Sequence, residues 1–189
     1  MWALVESGSI SEVYNKPKQL KIGDIQYPSN IHSLWSATEL KAIGVYEVVQ
    51  DDTNYKNPEY YTNTDQTFTF ASNQVKATYG TATAKPLNDT TTDGVVTRGL
   101  KYEHCFVIDN QAYSLLEPND WMVVRNAESS KAIPSDWLDY RVAVRTAATD
   151  MKTKINAVSD VDALAALYVY NNANPPVRPL GEFPTPPSS

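Results

Sequence analysis

The chain is poor in the residues that most chemistry uses. Its 189 residues hold one cysteine, Cys105, and two histidines. A single thiol excludes an internal disulfide or a cysteine metal cluster, and a zinc site would have to be improvised from carboxylates. No metal or other cofactor is therefore expected. The seven glycines include no spacing that could wrap a phosphate, so no nucleotide loop is expected either. No apolar run reaches 18 residues, and the opening "MWALVESGSISEV" has neither a basic leader nor an apolar stretch behind it. A membrane span and a secretory signal are thus not expected, and the place of work is expected to be a cytoplasm. Positive charge is scarce as well. Sixteen Lys and Arg stand singly against twenty-two Asp and Glu, a net charge of −6, so no basic stripe exists to neutralise phosphates. These absences exclude nucleic acid and point to a protein partner.

What is present suits a globular α+β protein: 42% hydrophobic and 20% charged residues, in a length that makes one domain or two small ones. Residues 1–84 read as a small β-rich unit with one short helix. Alternation around Gly8 predicts a hairpin, with Trp2, Leu4, Ile10 and Val13 pointing inward. Ser36 with Glu39 forms a capping box before a short helix that Gly44 stops, and "VYEVVQ" is a strand. The polar stretch after it reads as a long loop. "TFTFASNQVKATYGTATA" then predicts a second hairpin turning at Ser72-Asn73, with Phe68, Phe70 and Val75 on one face. Residues 85–97 have the composition of a linker.

From residue 98 the period becomes helical, and residues 98–170 read as a helical hairpin or bundle. Leu100, His104, Ile108, Ala112 and Leu115 share one face, although "CFVI" alone would suit a strand, and Pro118 ends the helix. Asn119 or Asp120 would cap a short helix running to about Glu128. Asp136 would do the same for a longer one, whose seam is Trp137, Tyr140, Val144, Ala148, Met151, Ile155 and Val158. Ser159 and Asp162 restart a last helix that carries Val161, Leu164, Leu167 and Tyr168. Six of the twelve prolines follow residue 174, so 171–189 reads as an extended proline-rich tail.

No enzyme is expected from this inventory. His104 on an apolar stripe is a satisfied core histidine, and Cys105 a small hydrophobe. Asp51-Asp52 lacks the glycine and closing glutamate of a calcium loop. Asp120 and Asp136 are explained by capping, and Arg125, Arg141 and Arg145 by pairing with carboxylates such as Glu128. Trp121 and Trp137 either close the ends of a bundle or form a protein-binding patch. The twelve tyrosines, several of them in "NYKNPEYYTNT", resemble the adaptable contact surfaces of binding proteins.

The string "DWMVVRNAESSKAIPSDWLDYRVAVR" resembles a region of tailed-bacteriophage tail fibre assembly proteins and related small tail proteins. There Asp-Trp-x-Val-x-Arg-x-x-Glu precedes Ile-Pro and then a Tyr-Arg-x-x-x-Arg helix. The matching positions are Asp120, Trp121, Val123, Arg125, Glu128, Ile133, Pro134, Tyr140, Arg141 and Arg145. The opening "WALVESGSISEVYNKP", the segment "GVYEVV" and the closing "GEFPTPP" are similar too. The resemblance implies a protein that binds a tail fibre as an assembly or accessory factor. Its alternative is a structural tail fibre or baseplate subunit of the virion. The expected place is the host cytoplasm during assembly, or the virion tail, with self-association open. Together with the tyrosine-rich loop and the tail, it places the expected partner-binding residues at Tyr60, Tyr61, Trp121, Arg125, Trp137, Tyr140, Arg141, Leu180 and Phe183.

Overall fold

The computed structural model describes residues 1–187, which divide between Thr83 and Ala84 into two compact units. In the first, β1 (Trp2–Glu6) and β2 (Ser9–Tyr14) form the hairpin expected around Gly8. Ser7 and Gly8 both take positive φ, as a tight hairpin turn requires. A small hairpin follows, β3 (Leu20–Ile22) with β4 (Ile25–Tyr27), which the sequence did not disclose. Helices α1 (Ile31–Leu34) and α2 (Ala37–Ala42) lead to β5 (Val45–Asp51). The capping box is present: Glu39 N donates to Ser36 Oγ, and Ser36 N donates back to the Glu39 carboxylate at 2.7 Å. The short β6 (Tyr61–Thr62), then β7 (Gln66–Ala71), β8 (Gln74–Tyr79) and the two-residue β9 (Thr83–Ala84) complete the strands. The β7–β8 turn is Ser72-Asn73, both residues with positive φ.

The five main strands lie in the order β2-β1-β5-β8-β7, antiparallel throughout except that β5 and β8 run parallel. The sheet curls until its edges, β2 and β7, approach each other. One face collects residues from all five strands: Ala3, Val13, Tyr46, Val48, Phe70 and Val75 are among them. The other carries Leu4, Tyr14 and Val45 against Leu20, Ile31 and Leu40, with Trp2 and Trp35 at its margin. The single inward face expected for Trp2, Leu4, Ile10 and Val13 is thus corrected to two. Ser11 is the cause. Leu4 pairs with Glu12 but Val5 with Ile10, so Ser11 is an extra residue in β2. The bulge shifts the alternation by one and turns Ile10 and Val13, three apart, to the same side.

In the second unit the expected linker folds. β10 (Thr90–Thr92) and β11 (Val95–Thr97) form a hairpin across Asp93-Gly94. Carbonyls of the preceding stretch serve the next helix: Leu100 N donates to Pro86 O and Lys101 N to Leu87 O, both at 3.0 Å. These bonds satisfy two of the amide donors that every helix start leaves open. That helix is α3 (Leu100–Leu116), the reading chosen over a strand. A 3-10 turn at Glu117–Asn119 ends it, and α4 (Asp120–Ser129), α5 (Ser135–Ala157) and α6 (Val161–Ala166) follow. α3 and α5 pack side by side, with Lys152 on Asp109 (2.6 Å) and Arg141 on the Leu116 carbonyl (3.0 Å), so they run antiparallel. Tyr140, Val144, Ala148, Met151 and Ile155 are buried along α5 at the spacing read from the sequence. The cap of α6 is Asp160, whose carboxylate accepts from Ala163 N at 2.8 Å, rather than Ser159.

The chain beyond α6 is not a free extension. It turns at Gly181, where φ is +96°, and Leu180 is only 1% exposed. Leu180 N donates to Leu167 O at 2.9 Å, and Lys154 Nζ donates to the carbonyls of Pro179 (2.8 Å) and Leu180 (3.1 Å). The last two residues of the expected tail, 188 and 189, lie outside the described residues.

Candidate interaction surface on the helical unit

The helices meet at a joint built on Arg141. Its guanidinium is buried, donating from Nη1 to Leu116 O and from Nη2 to Asp120 Oδ1 at 2.6 Å. One group thereby satisfies a carbonyl at the end of α3 and pins the first residue of α4. A planar, permanently charged fork suits two acceptors on different elements, which a lysine could not reach together. Asp120 is therefore an ion-pair partner and not the expected cap: no side chain caps α4, and none caps α5, where Asp136 sits in the first turn. Arg141 pairs with Asp120, not with Glu128.

From this joint α4 projects with no buried residue in its ten. Trp121 is 53% and Val124 54% exposed, with Val123 also open to solvent. The Arg125 guanidinium lies over the Trp121 ring, 4.7 Å from its centre, and its Nε is shut off from water with no acceptor. The indole is thus braced by a cation on its face, in an orientation that costs little further entropy on binding. Trp137 is half-buried and meets Tyr140 edge to face at 5.8 Å.

The residues expected to bind a partner are divided by the structure. Tyr60, Tyr140, Arg141 and Leu180 are interior, a correction for each: Tyr140 and Leu180 belong to their unit's packing, Arg141 to the joint, and Tyr60 is buried within the first unit. Trp121 is exposed, Arg125, Trp137 and Phe183 are half-buried, and Tyr61, in the first unit, carries Lys56 Nζ 4.2 Å over its ring. Phe183 borders a shallow recess of about 480 Å³ with Val107 and Leu115.

His104 and Cys105 stand side by side on α3. His104 is buried, with Nδ1 2.7 Å from the Tyr168 hydroxyl. Burial pushes the Cys105 thiol up, and Asn156 Nδ2 stands 3.7 Å from its sulfur, so the reactive thiolate is disfavoured. Among the described residues no group of three His, Cys, Asp or Glu side chains is placed to hold a metal ion.

Two features escaped the sequence reading. One is the outer face of α3, with Tyr102, Phe106 and Tyr113 exposed; their spacing was legible on the helix opposite His104 and Ile108. The other is in the first unit, where Trp2, His32 and Trp35 border a cleft of about 550 Å³. His32 Nδ1 lies 3.0 Å from Ser29 O, a contact that needs the proton on Nδ1, and so its Nε2 accepts from the Tyr14 hydroxyl, also at 3.0 Å. No periodicity marks His32. No family model, no curated protein and no solved structure matches this chain.

Proposed function

We propose that this chain is a tail fibre assembly or accessory protein of a tailed bacteriophage, acting by protein contact alone, with α4 as the surface that meets the fibre. The observation that carries the reading is the state of α4: a ten-residue helix with nothing buried, holding a tryptophan braced by an arginine. Isolated helices of this length are marginal in water, so one kept folded by its joint and its neighbours while presenting Trp121, Val123 and Val124 is an apolar surface in want of a cover. The tail-protein-like string falls on this place and splits in two. Asp120 and Arg141 fasten the joint and Tyr140 is buried beside Arg141 in the sequence, while Trp121, Val123 and Arg125 lie on the projecting helix.

The test is titration calorimetry of the chain against the fibre polypeptide of the same phage. Trp121→Ala is expected to weaken association by tenfold or more, about 1.4 kcal/mol, with the melting temperature unchanged, as suits an exposed aromatic anchor. Unchanged affinity in that variant would remove α4 from the interface. Absence of any binding between the unmodified chain and the fibre would remove the reading itself.

A further inference from the structure

We infer that the outer face of α3 is the seam of a homodimer, in which α3 of a second copy packs antiparallel across a twofold axis between Asp109 and Asn110. The inference is independent of the fibre contact on α4.

α3 is apolar on two opposite faces. Leu100, His104, Ile108 and Ala112 recur every fourth residue and are buried. At about 100° per residue, Tyr102, Phe106 and Tyr113 fall within roughly 40° of one another on the far side. They are 44%, 55% and 60% exposed. A helix serving only its own core needs one stripe, and a second stripe of three aromatics is a face that association would cover. The rings are already arranged: Tyr102 and Phe106 stack 6.4 Å apart with planes 7° from parallel.

The order of groups along the stripe selects the occupant. Phe106 precedes Asp109 by the three positions by which Tyr113 follows Asn110, and Tyr102 precedes Asp109 by the seven by which Glu117 follows Asn110. The ends of the stripe differ as well: at one, Arg98 lies over the Tyr102 ring at 4.2 Å while it pairs with Asp89, and at the other the Glu117 carboxylate accepts from the Tyr113 hydroxyl at 3.3 Å. Turning a second copy about the midpoint sets Phe106 against Tyr113 twice. It also sets each Tyr102 and Arg98 against the other copy's Glu117, and brings the two Asn110 side chains together on one flank of the axis and the two Asp109 side chains on the other. Lys152 already neutralises Asp109, so the axis gathers no bare charge. A parallel pairing would instead oppose Arg98 to Arg98 and Glu117 to Glu117, and align the helix dipoles. A self-complementary patch is what a twofold contact between identical chains demands.

Sedimentation velocity of the full chain from about 1 to 100 µM tests this, since dimers of modest interfaces dissociate in that range. A monomer–dimer equilibrium is expected, which Phe106→Glu shifts tenfold or more towards monomer without moving the melting temperature. Glu117→Lys, facing Arg98 of the other copy, should weaken it too. A monomer at every concentration, or a dimer indifferent to Phe106→Glu, overturns the proposal. Orientation is read separately in a Cys105→Ser background. A short bismaleimide should join Asn110→Cys to its own copy but not Tyr102→Cys, because antiparallel copies hold the two residues 102 about 22 Å apart along the seam. Efficient linkage at residue 102 would overturn the antiparallel seam.

Discussion

Tyr14 shows how one side chain couples distant parts of the β unit. It ends β2, stacks on Trp2 at 6.4 Å, and gives its hydroxyl to His32, eighteen residues on. Lys18 lies over its ring at 5.1 Å, and Glu12 is the other charge nearby. Burial first, and the Glu12 carboxylate second, push its phenol from 10 up to about 12. A raised folded value means that the fold favours the neutral form. The stabilisation is complete below pH 10, where the unfolded chain also keeps the proton, and is lost as pH rises through about 12. The β unit is therefore expected to lose melting temperature across that window, and Tyr14→Phe to flatten the loss while costing about 1 kcal/mol at neutral pH for the hydrogen bond to His32. An identical alkaline profile in Tyr14→Phe would show that this phenol is not the group responsible. Nothing local in "SNIHSLW" announces this contact, because His32 acquires its role only when α1 packs on the sheet. The candidate surface has the same limit. Tyr140 sat both on the buried stripe of α5 and in the tail-protein-like string, and helical spacing was the better guide: it is interior, whereas Trp121 in the same string is not.

At the scale of elements, what could be read was what local chemistry dictates. The turns at Gly8 and Ser72-Asn73, the Ser36–Glu39 box and the α5 seam all follow from neighbouring residues. The parallel pairing of β5 with β8 and the Ser11 bulge do not, since both depend on strands arriving from elsewhere. The β10–β11 hairpin was legible and overlooked: Asp93-Gly94 between threonines and valines is a tight-turn signal, hidden by the polar composition around it. The proline-rich segment misled in the opposite way. Prolines favour extension, but they leave a fixed backbone that one apolar residue can anchor, and Leu180 is that residue. Burying its side chain makes Leu180 part of the unit's core and ties the otherwise mostly exposed segment around it to the helices. Leu180→Ala is expected to cost about 2–5 kcal/mol, as buried leucine truncations do. Truncation before Pro175, which also removes both carbonyl acceptors of Lys154, is expected to cost at least as much. Thermal melts followed by helical circular dichroism decide it, and a variant melting with the unmodified chain would return the segment to the status of a loose tail.

The whole molecule comprises two units with separate means of support, and that separation is itself measurable. Every buried residue of the two β-unit clusters lies before Thr83, and the α3–α5 seam, the Arg141 joint and the Leu180 anchor all lie after it. The sequence placed a boundary after residue 84 on the linker-like composition of 85–97, with the helical period beginning only at residue 98, and so counted the β10–β11 hairpin as linker. Two substitutions probe the units one at a time. Gly44 sits at φ +84°, and an added Cβ would stand 2.5 Å from the carbonyl oxygen of Val5. That strand residue also donates its amide to Gly44 O at 2.8 Å, so β1 cannot retreat without losing a bond that holds it beside β5. Gly44→Ala therefore combines left-handed strain with a backbone clash, a cost of about 1–3 kcal/mol confined to the β unit. Leu180→Ala confines its cost to the helical one. Calorimetry of the full chain is expected to resolve two transitions, the first variant lowering only one of them and the second only the other. A single transition that both variants lower together would mean that the chain unfolds as one cooperative body, and that the boundary at Thr83 divides its geometry but not its stability.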